Sequence, residues 1–183
     1  MSRLILVRHA QPVIDPDSPS AEWVLSPDGA AATGALAREL MQYEPRRIVC
    51  GDEPKMTGTA NVLSKVIGVA VTRSGGLSEH ARRTAKFADR AAFEAAIRSL
   101  FERPGEIVYG EESADLTYAR FAAAIDSALA AESRTVIAVS GGTAICIFLA
   151  RRAGVDAFDT WRNLRLPMAF VLDRQNWAIE RTV

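Results

Sequence analysis

The sequence predicts an α/β fold, a three-layer α/β/α sandwich around a mostly parallel central sheet. Three observations predict it. Short runs of branched apolar residues recur without polar alternation, as in strands buried on both faces. Segments with helical start and stop signals lie between them. The two kinds alternate along the chain, the order expected of a parallel sheet covered by helices. With 183 residues, no internal repeat and no low-complexity linker, the chain suits one domain spanning 1–183.

Leu4, Ile5, Leu6 and Val7 read as the first strand. Residues 11–22, rich in Pro, Asp and Ser, form a loop. A helix starts at Ser26-Pro27-Asp28-Gly29, with Ser26 as N-cap and Pro27 in the first helical position. It runs to about Met41, and Pro45 bars its continuation. Ile48-Val49-Cys50 is a second strand, Pro54 to Gly68 a second helix, and Val69-Ala70-Val71 a third strand. Residues 73–90 carry four arginines and a lysine among Gly, Ser and Thr, and read as a long functional loop. Helices follow over 90–102 and from Ala114 to Ala131, the latter placing Phe121, Ile125 and Leu129 on one face. Then come a strand from Thr135 to Val139, a glycine turn, a helix ending near Gly154, and strands at Met168–Leu172 and Trp177–Ile179.

Composition excludes several function classes. Lys+Arg and Asp+Glu both total 22, so no net charge argues for nucleic acid or an acidic membrane surface. Four apolar residues before Arg8 are too few for a signal-peptide core. The uncharged stretch from Thr135 to Ala150 is interrupted by Ser140-Gly141-Gly142 and falls short of the roughly 20 residues of a membrane span. Cys50 and Cys146 read as buried thiols of a reducing compartment, so the expected location is cytoplasmic. Two histidines and scattered carboxylates offer no metal-ligand spacing, so no metal is expected.

Chemistry concentrates at Val7-Arg8-His9-Ala10. An arginine and a histidine end a buried strand, where open α/β sheets bind ligands. Arginine offers a planar donor fork suited to phosphate, and neutral imidazole is a competent nucleophile. Taken alone, the pair suits a salt-bridged arginine and a satisfied buried histidine better than a phosphate site. Ala138-Val139-Ser140-Gly141-Gly142 has the outline of a nucleophile elbow, but a serine hydrolase of that type needs a later histidine, and His9 and His80 both precede it. Gly51 to Thr57 lacks the Gly-Lys-Ser/Thr order of a P-loop. Gly141-Gly142 suits an anion met by backbone N–H groups, or a tight strand-to-helix turn. Trp23, Trp161 and Trp177 read as packing residues.

Ordered segments carry a resemblance. LVRHAQP resembles the opening of the histidine phosphatase superfamily, the phosphoglycerate mutase-like enzymes. Leu25-Ser26-Pro27-Asp28-Gly29 resembles its L-T-x-x-G, and Ile48 to Ala60 its V-x-S-S-x-x-x-R-A-x-Q-T-A. Glu111-Glu112-Ser113, followed by a helix bearing Arg120, resembles G-E-S-x-x-D-x-x-x-R, and Val136 to Thr143 resembles V-V-S-H-G-G. The resemblance implies that His9 attacks phosphorus and becomes a phosphohistidine. Arg8, Gln11, Lys55 and the turn at Gly141 and Gly142 would hold the phosphoryl oxygens. Glu79, in Leu77-Ser78-Glu79-His80, matches the acid that protonates the leaving group, a role requiring a raised pKa. No cofactor is implied, and the partner is a small phosphorylated substrate or a phosphoprotein.

Two positions depart from the pattern. Lys55 stands at the family's second arginine, keeping the charge and losing the bidentate fork. Gly141 stands at its second histidine, and loss of such a donor costs about 10²–10³ in rate. His80 is expected either to reach the vacated space or to sit in a solvated loop. Two outcomes remain open: a weak phosphomonoesterase, or a pseudo-phosphatase that binds a phosphorylated ligand.

Overall fold

In the computed structural model of the chain, residues 2–85 and 89–183 are described, and residues 86–88 of the expected long loop lie outside them. Strand β1 (Arg3–Arg8) is followed by α1 (Pro27–Leu40), β2 (Arg47–Cys50), α2 (Pro54–Ile67) and β3 (Val71–Arg73). Then come α3 (Arg90–Glu102), α4 (Ala114–Ala131), β4 (Val136–Ser140), α5 (Gly142–Ala153), α6 (Ala157–Arg162), β5 (Met168–Asp173) and β6 (Ile179–Thr182). The strands form one sheet in the order β3-β2-β4-β1-β5-β6. The first four run parallel, and β5 and β6 are antiparallel.

Alternation along β1 divides the core. Ile5 and Val7 pack with Leu36 and Leu40 of α1 and Met56 and Leu63 of α2. Leu4 and Leu6 pack with Phe121 and Ile125 of α4 and Ile145 and Phe148 of α5. Leu4 to Val7 have no exposed surface, each burial stabilising by roughly 1.5–3 kcal/mol. The expected three layers follow from these two apolar faces. Ile97 and Leu100 of α3 form a smaller cluster with Ile147 and, at its margin, Trp161.

Most helix ends obey their local signals. Ser26 accepts a hydrogen bond from Gly29 N to cap α1, and Ser113 accepts one from Leu116 N to cap α4. Gly68, at φ +80°, ends α2 in the left-handed region. Val69-Ala70 then carry the chain to the sheet edge, so β3 begins at Val71 rather than Val69. Trp177, at φ 64°, belongs to the turn after β5, which moves β6 from the expected 177–179 to Ile179–Thr182. Helix α6, six residues capped by Asp156, went unread in the sequence.

The carboxyl ends of β1, β2 and β4 face one edge of the sheet. His9 N donates to Ser140 O at 2.9 Å, and Gly51 N to Val139 O at 3.1 Å. The segments leaving these strands therefore open side by side: Arg8 to Pro12, Gly51 to Lys55, and Gly141 to Thr143. No helix among the described residues is long and apolar enough to cross a membrane.

Candidate active site

His9 is buried immediately beyond β1, with its ring Nδ1 2.9 Å from Ala10 O. A carbonyl oxygen only accepts, so Nδ1 carries the hydrogen and Nε2 keeps its lone pair. Burial, then the Lys55 charge, holds the imidazole well below its usual pKa, and the ring is neutral at pH 7. Ala10 N donates to Thr59 Oγ1 at 3.0 Å, and that hydroxyl donates to Lys55 O at 2.8 Å, so α2 braces the backbone behind the ring.

Arg8 donates from Nη1 to Leu164 O at 3.2 Å and to Arg165 O at 3.4 Å. Its Nε is buried without a partner, and burial lowers the guanidinium pKa. An unmatched donor of this kind invites an anion. A Cβ at position 142 would lie 3.0 Å from that Nε, so Gly142 keeps the approach to Arg8 open. Lys55, 4% exposed, faces Glu53 Oε2 at 2.6 Å and donates to Ser20 O. Its charge is therefore already balanced within the protein. Gln11 lines the same cavity, its Nε2 3.3 Å from Pro12 O.

Glu79 reaches the site but not in the expected state. Its carboxylate accepts from His80 N at 2.8 Å, Thr143 N at 3.1 Å and Ala144 N at 2.8 Å, and lies 3.4 Å from Arg82 Nη2. Burial pushes its pKa up, but Arg82 and these backbone donors outweigh burial and hold it well below the usual carboxylate range. The raised pKa expected of a poised acid is absent; the carboxylate is an ionised cap on the first turn of α5.

That cap also corrects the expectation for Gly141. A Cβ there would run into the Glu79 carboxyl group, so the space beside residue 141 is filled. Gly142 and Thr143, rather than Gly141, line the cavity. His80 does not fill in for a second histidine. Its Nε2 lies 2.8 Å from Glu112 O, its ring stacks on Tyr109, and it lines a neighbouring cavity rather than that of His9. At 1% exposed, it is not a solvated loop residue either.

Arg8, His9, Gln11, Lys55, Glu79 and Gly142 thus meet around one cavity of about 310 Å³. Sequence reasoning missed Arg82 and Thr143, which hydrogen-bond each other at 3.1 Å, and the aromatic wall of Phe93 and Tyr109. Arg82 belonged to the arginine-rich loop, the one available signal. Trp23 and Trp161, read as packing residues, also line the cavity, whereas Trp177 packs on Phe148 at 5.7 Å. Among the described residues no group of three His, Cys, Asp or Glu side chains gathers to hold a metal. Cys50 and Cys146 are free and buried, and burial pushes the Cys50 thiol up to about 11.

Residues 4–175 match the model of the histidine phosphatase superfamily, branch 1. The chain belongs to that superfamily. Solved structures of similar shape include mycobacterial glucosyl-3-phosphoglycerate phosphatase with VO3, at 20% identity and TM-score 0.77, covering 100% of this chain and 98% of that one. Alpha-ribazole phosphatase from Shigella flexneri matches at 18% identity and TM-score 0.71, covering 99% and 95%. A mutant phosphoserine phosphatase from Entamoeba histolytica, in complex with phosphoserine, matches at 14% and 0.74, covering 100% and 96%. At these identities the likeness establishes the fold. No curated protein sequence matches this histidine phosphatase-superfamily chain.

Proposed function

We propose that the chain is a phosphomonoesterase working through a phosphohistidine at His9. The observation that carries this reading is the 2.9 Å contact of His9 Nδ1 with Ala10 O in a buried site lined by Arg8, an arrangement that assigns the hydrogen to Nδ1 and leaves Nε2 its lone pair. Nε2 attacks phosphorus as the bond to the ester oxygen breaks. Arg8 and the ammonium of Lys55 offset the charge on the equatorial oxygens. An arriving phosphoryl dianion opposes the Glu79 carboxylate and raises its pKa, so that Glu79 takes a proton and delivers it to the leaving oxygen. The resulting carboxylate then draws a proton from the water that attacks the phosphohistidine, releasing phosphate and freeing His9.

Two observations favour the second reading, a pseudo-phosphatase that binds a phosphorylated ligand without turnover. Glu79 already occupies Thr143 N and Ala144 N, donors an anion would otherwise use, and Lys55 is already paired with Glu53. Calorimetry with inorganic phosphate, paired with release of phosphate from phosphomonoesters, separates the two. Binding with turnover supports the enzyme; binding without turnover in any ester supports the pseudo-phosphatase.

A further inference from the structure

Beyond the phosphate end, the cavity wall is apolar. Ile14, Trp23, Phe93, Tyr109, Trp161 and Leu166 line it. The aromatic side is assembled in advance: Phe93 meets Trp161 edge-on at 5.5 Å and Tyr109 at 6.0 Å, and the Arg82 guanidinium lies over Phe93. Trp23 is held by its Nε1, which donates to Asp15 O at 2.9 Å and Ser18 O at 3.2 Å. Ile14 remains 53% exposed at this cavity, apolar surface that a ligand would remove from water.

Three polar groups on the wall already have partners within the protein. Gln11 Nε2 donates to Pro12 O, Ser18 Oγ to Asp15 O, and Thr143 Oγ1 accepts from Arg82. The one carboxylate among the described lining residues, Glu79, is already engaged by Arg82 and backbone donors, so no free carboxylate there pairs with an ammonium group. Arg82 is balanced by Glu79 in turn, and Lys55 by Glu53, which leaves little pull on an acidic leaving group.

Resting on the phosphomonoesterase reading, we infer that the ester group of the substrate is uncharged and largely apolar, an aromatic or alicyclic alcohol. The phosphoryl group sits at Arg8 and His9, and the ring lies among Trp23, Phe93 and Trp161. Aromatic faces favour stacked or edge-on rings and add to simple area burial.

Phosphonates test this without turnover. Calorimetry is run on the protein with inorganic phosphate, methylphosphonate, benzylphosphonate and 2-aminoethylphosphonate. Benzylphosphonate is expected to bind at least about tenfold more tightly than methylphosphonate, the gain from burying one ring, and 2-aminoethylphosphonate no more tightly. Trp161→Ala and Ile14→Ser should each reduce the benzyl-to-methyl ratio, and Ile14 is exposed enough that its variant tests the wall without disturbing the core. Turnover is compared between benzyl phosphate and glycerol 3-phosphate, both esters of primary alcohols, with the benzyl ester favoured at least about tenfold in kcat/KM. Phosphate binding with equal affinity for the benzyl and methyl compounds overturns this inference alone. Failure of inorganic phosphate and every phosphonate to bind overturns the phosphate site itself.

Discussion

The two walls of the cavity are held by different means. Arg8 and His9 end a strand bonded along its length to β4 on one side and β5 on the other, in unbroken register. Glu79 and Arg82 ride on the connection between β3 and α3, where the only regular element among the described residues is a 3-10 turn at Gly75–Leu77. Side chains hold that connection in place. Arg120 on α4 donates to Gly76 O, Ser78 O and Glu79 O, and forms a forked pair with Glu112. Glu112 also takes Ala81 N, and Glu111 takes Arg83 N and Thr84 N. A wall fixed by a backbone ladder withstands loss of one side chain, whereas a wall fixed by a few ionic clamps does not.

Substitution on the ladder-held wall should therefore cost activity and spare the fold. Arg8→Ala is expected to lower kcat/KM by about 10²–10³, as loss of a phosphoryl-oxygen donor does elsewhere, with little change in melting temperature. A large drop in melting temperature would show that Arg8 supports the fold instead.

On the clamp-held wall the balance reverses. Glu112→Ala leaves the Arg120 guanidinium half-buried without its carboxylate and strands Ala81 N, a loss of about 2 kcal/mol after allowance for partial exposure. Thermal denaturation should show a fall of roughly 4–8 °C, with a smaller loss of activity than Arg8→Ala produces. Unchanged melting would mean that the connection is held by something other than this clamp.

Titration distinguishes the walls again. His9 has a folded pKa below the ordinary 6.5, so below that pH the unfolded chain takes up a proton the folded chain refuses, and stability falls as pH drops. Glu79 has a folded pKa below 4.5; its contribution is full above that pH and is lost as pH falls through the folded value. Acid melting curves should therefore decline in two stages, with Glu79→Gln flattening the lower one. Activity follows a different rule. A nucleophile with an ordinary imidazole pKa would be about nine-tenths protonated at pH 5.5, but His9 should still be neutral there. A kcat/KM that falls tenfold between pH 7 and 5.5, with the protein folded, contradicts the neutral buried ring.

The smallest expected gain is at position 141. Restoring a histidine looks from the sequence like a repair worth about 10²-fold. The Glu79 carboxyl group fills the space its Cβ needs, so Gly141→His should raise nothing and should destabilise the start of α5. A clear rise in turnover would show that Glu79 readily moves aside.

Legibility followed the same division. β1, α1, α2, α4 and β4 were readable because caps, prolines and unbroken apolar runs are local signals, and Arg8, His9 and Lys55 sit directly beside them. Helix α4 lay where its periodicity predicted, Ala114–Ala131. Arg120 and the Glu111-Glu112 pair were visible as a motif, but their grip on residues 76–84 was not, since it depends on contacts across some 30 to 40 positions. The ionised state of Glu79 was hidden for the same reason. Two of its donors, Thr143 N and Ala144 N, lie about 65 residues away on the first turn of α5, a neighbour known only once the sheet has brought β4 beside β2.

His9 is proposed to form the covalent intermediate. Incubation with benzyl phosphate labelled on phosphorus, followed by rapid alkaline quenching and peptide mapping, tests it directly. Acid-labile phosphate is expected on the peptide carrying His9, lost in a folded His9→Ala protein together with turnover. Turnover with label on His80, or turnover that survives in the His9→Ala protein, would contradict it.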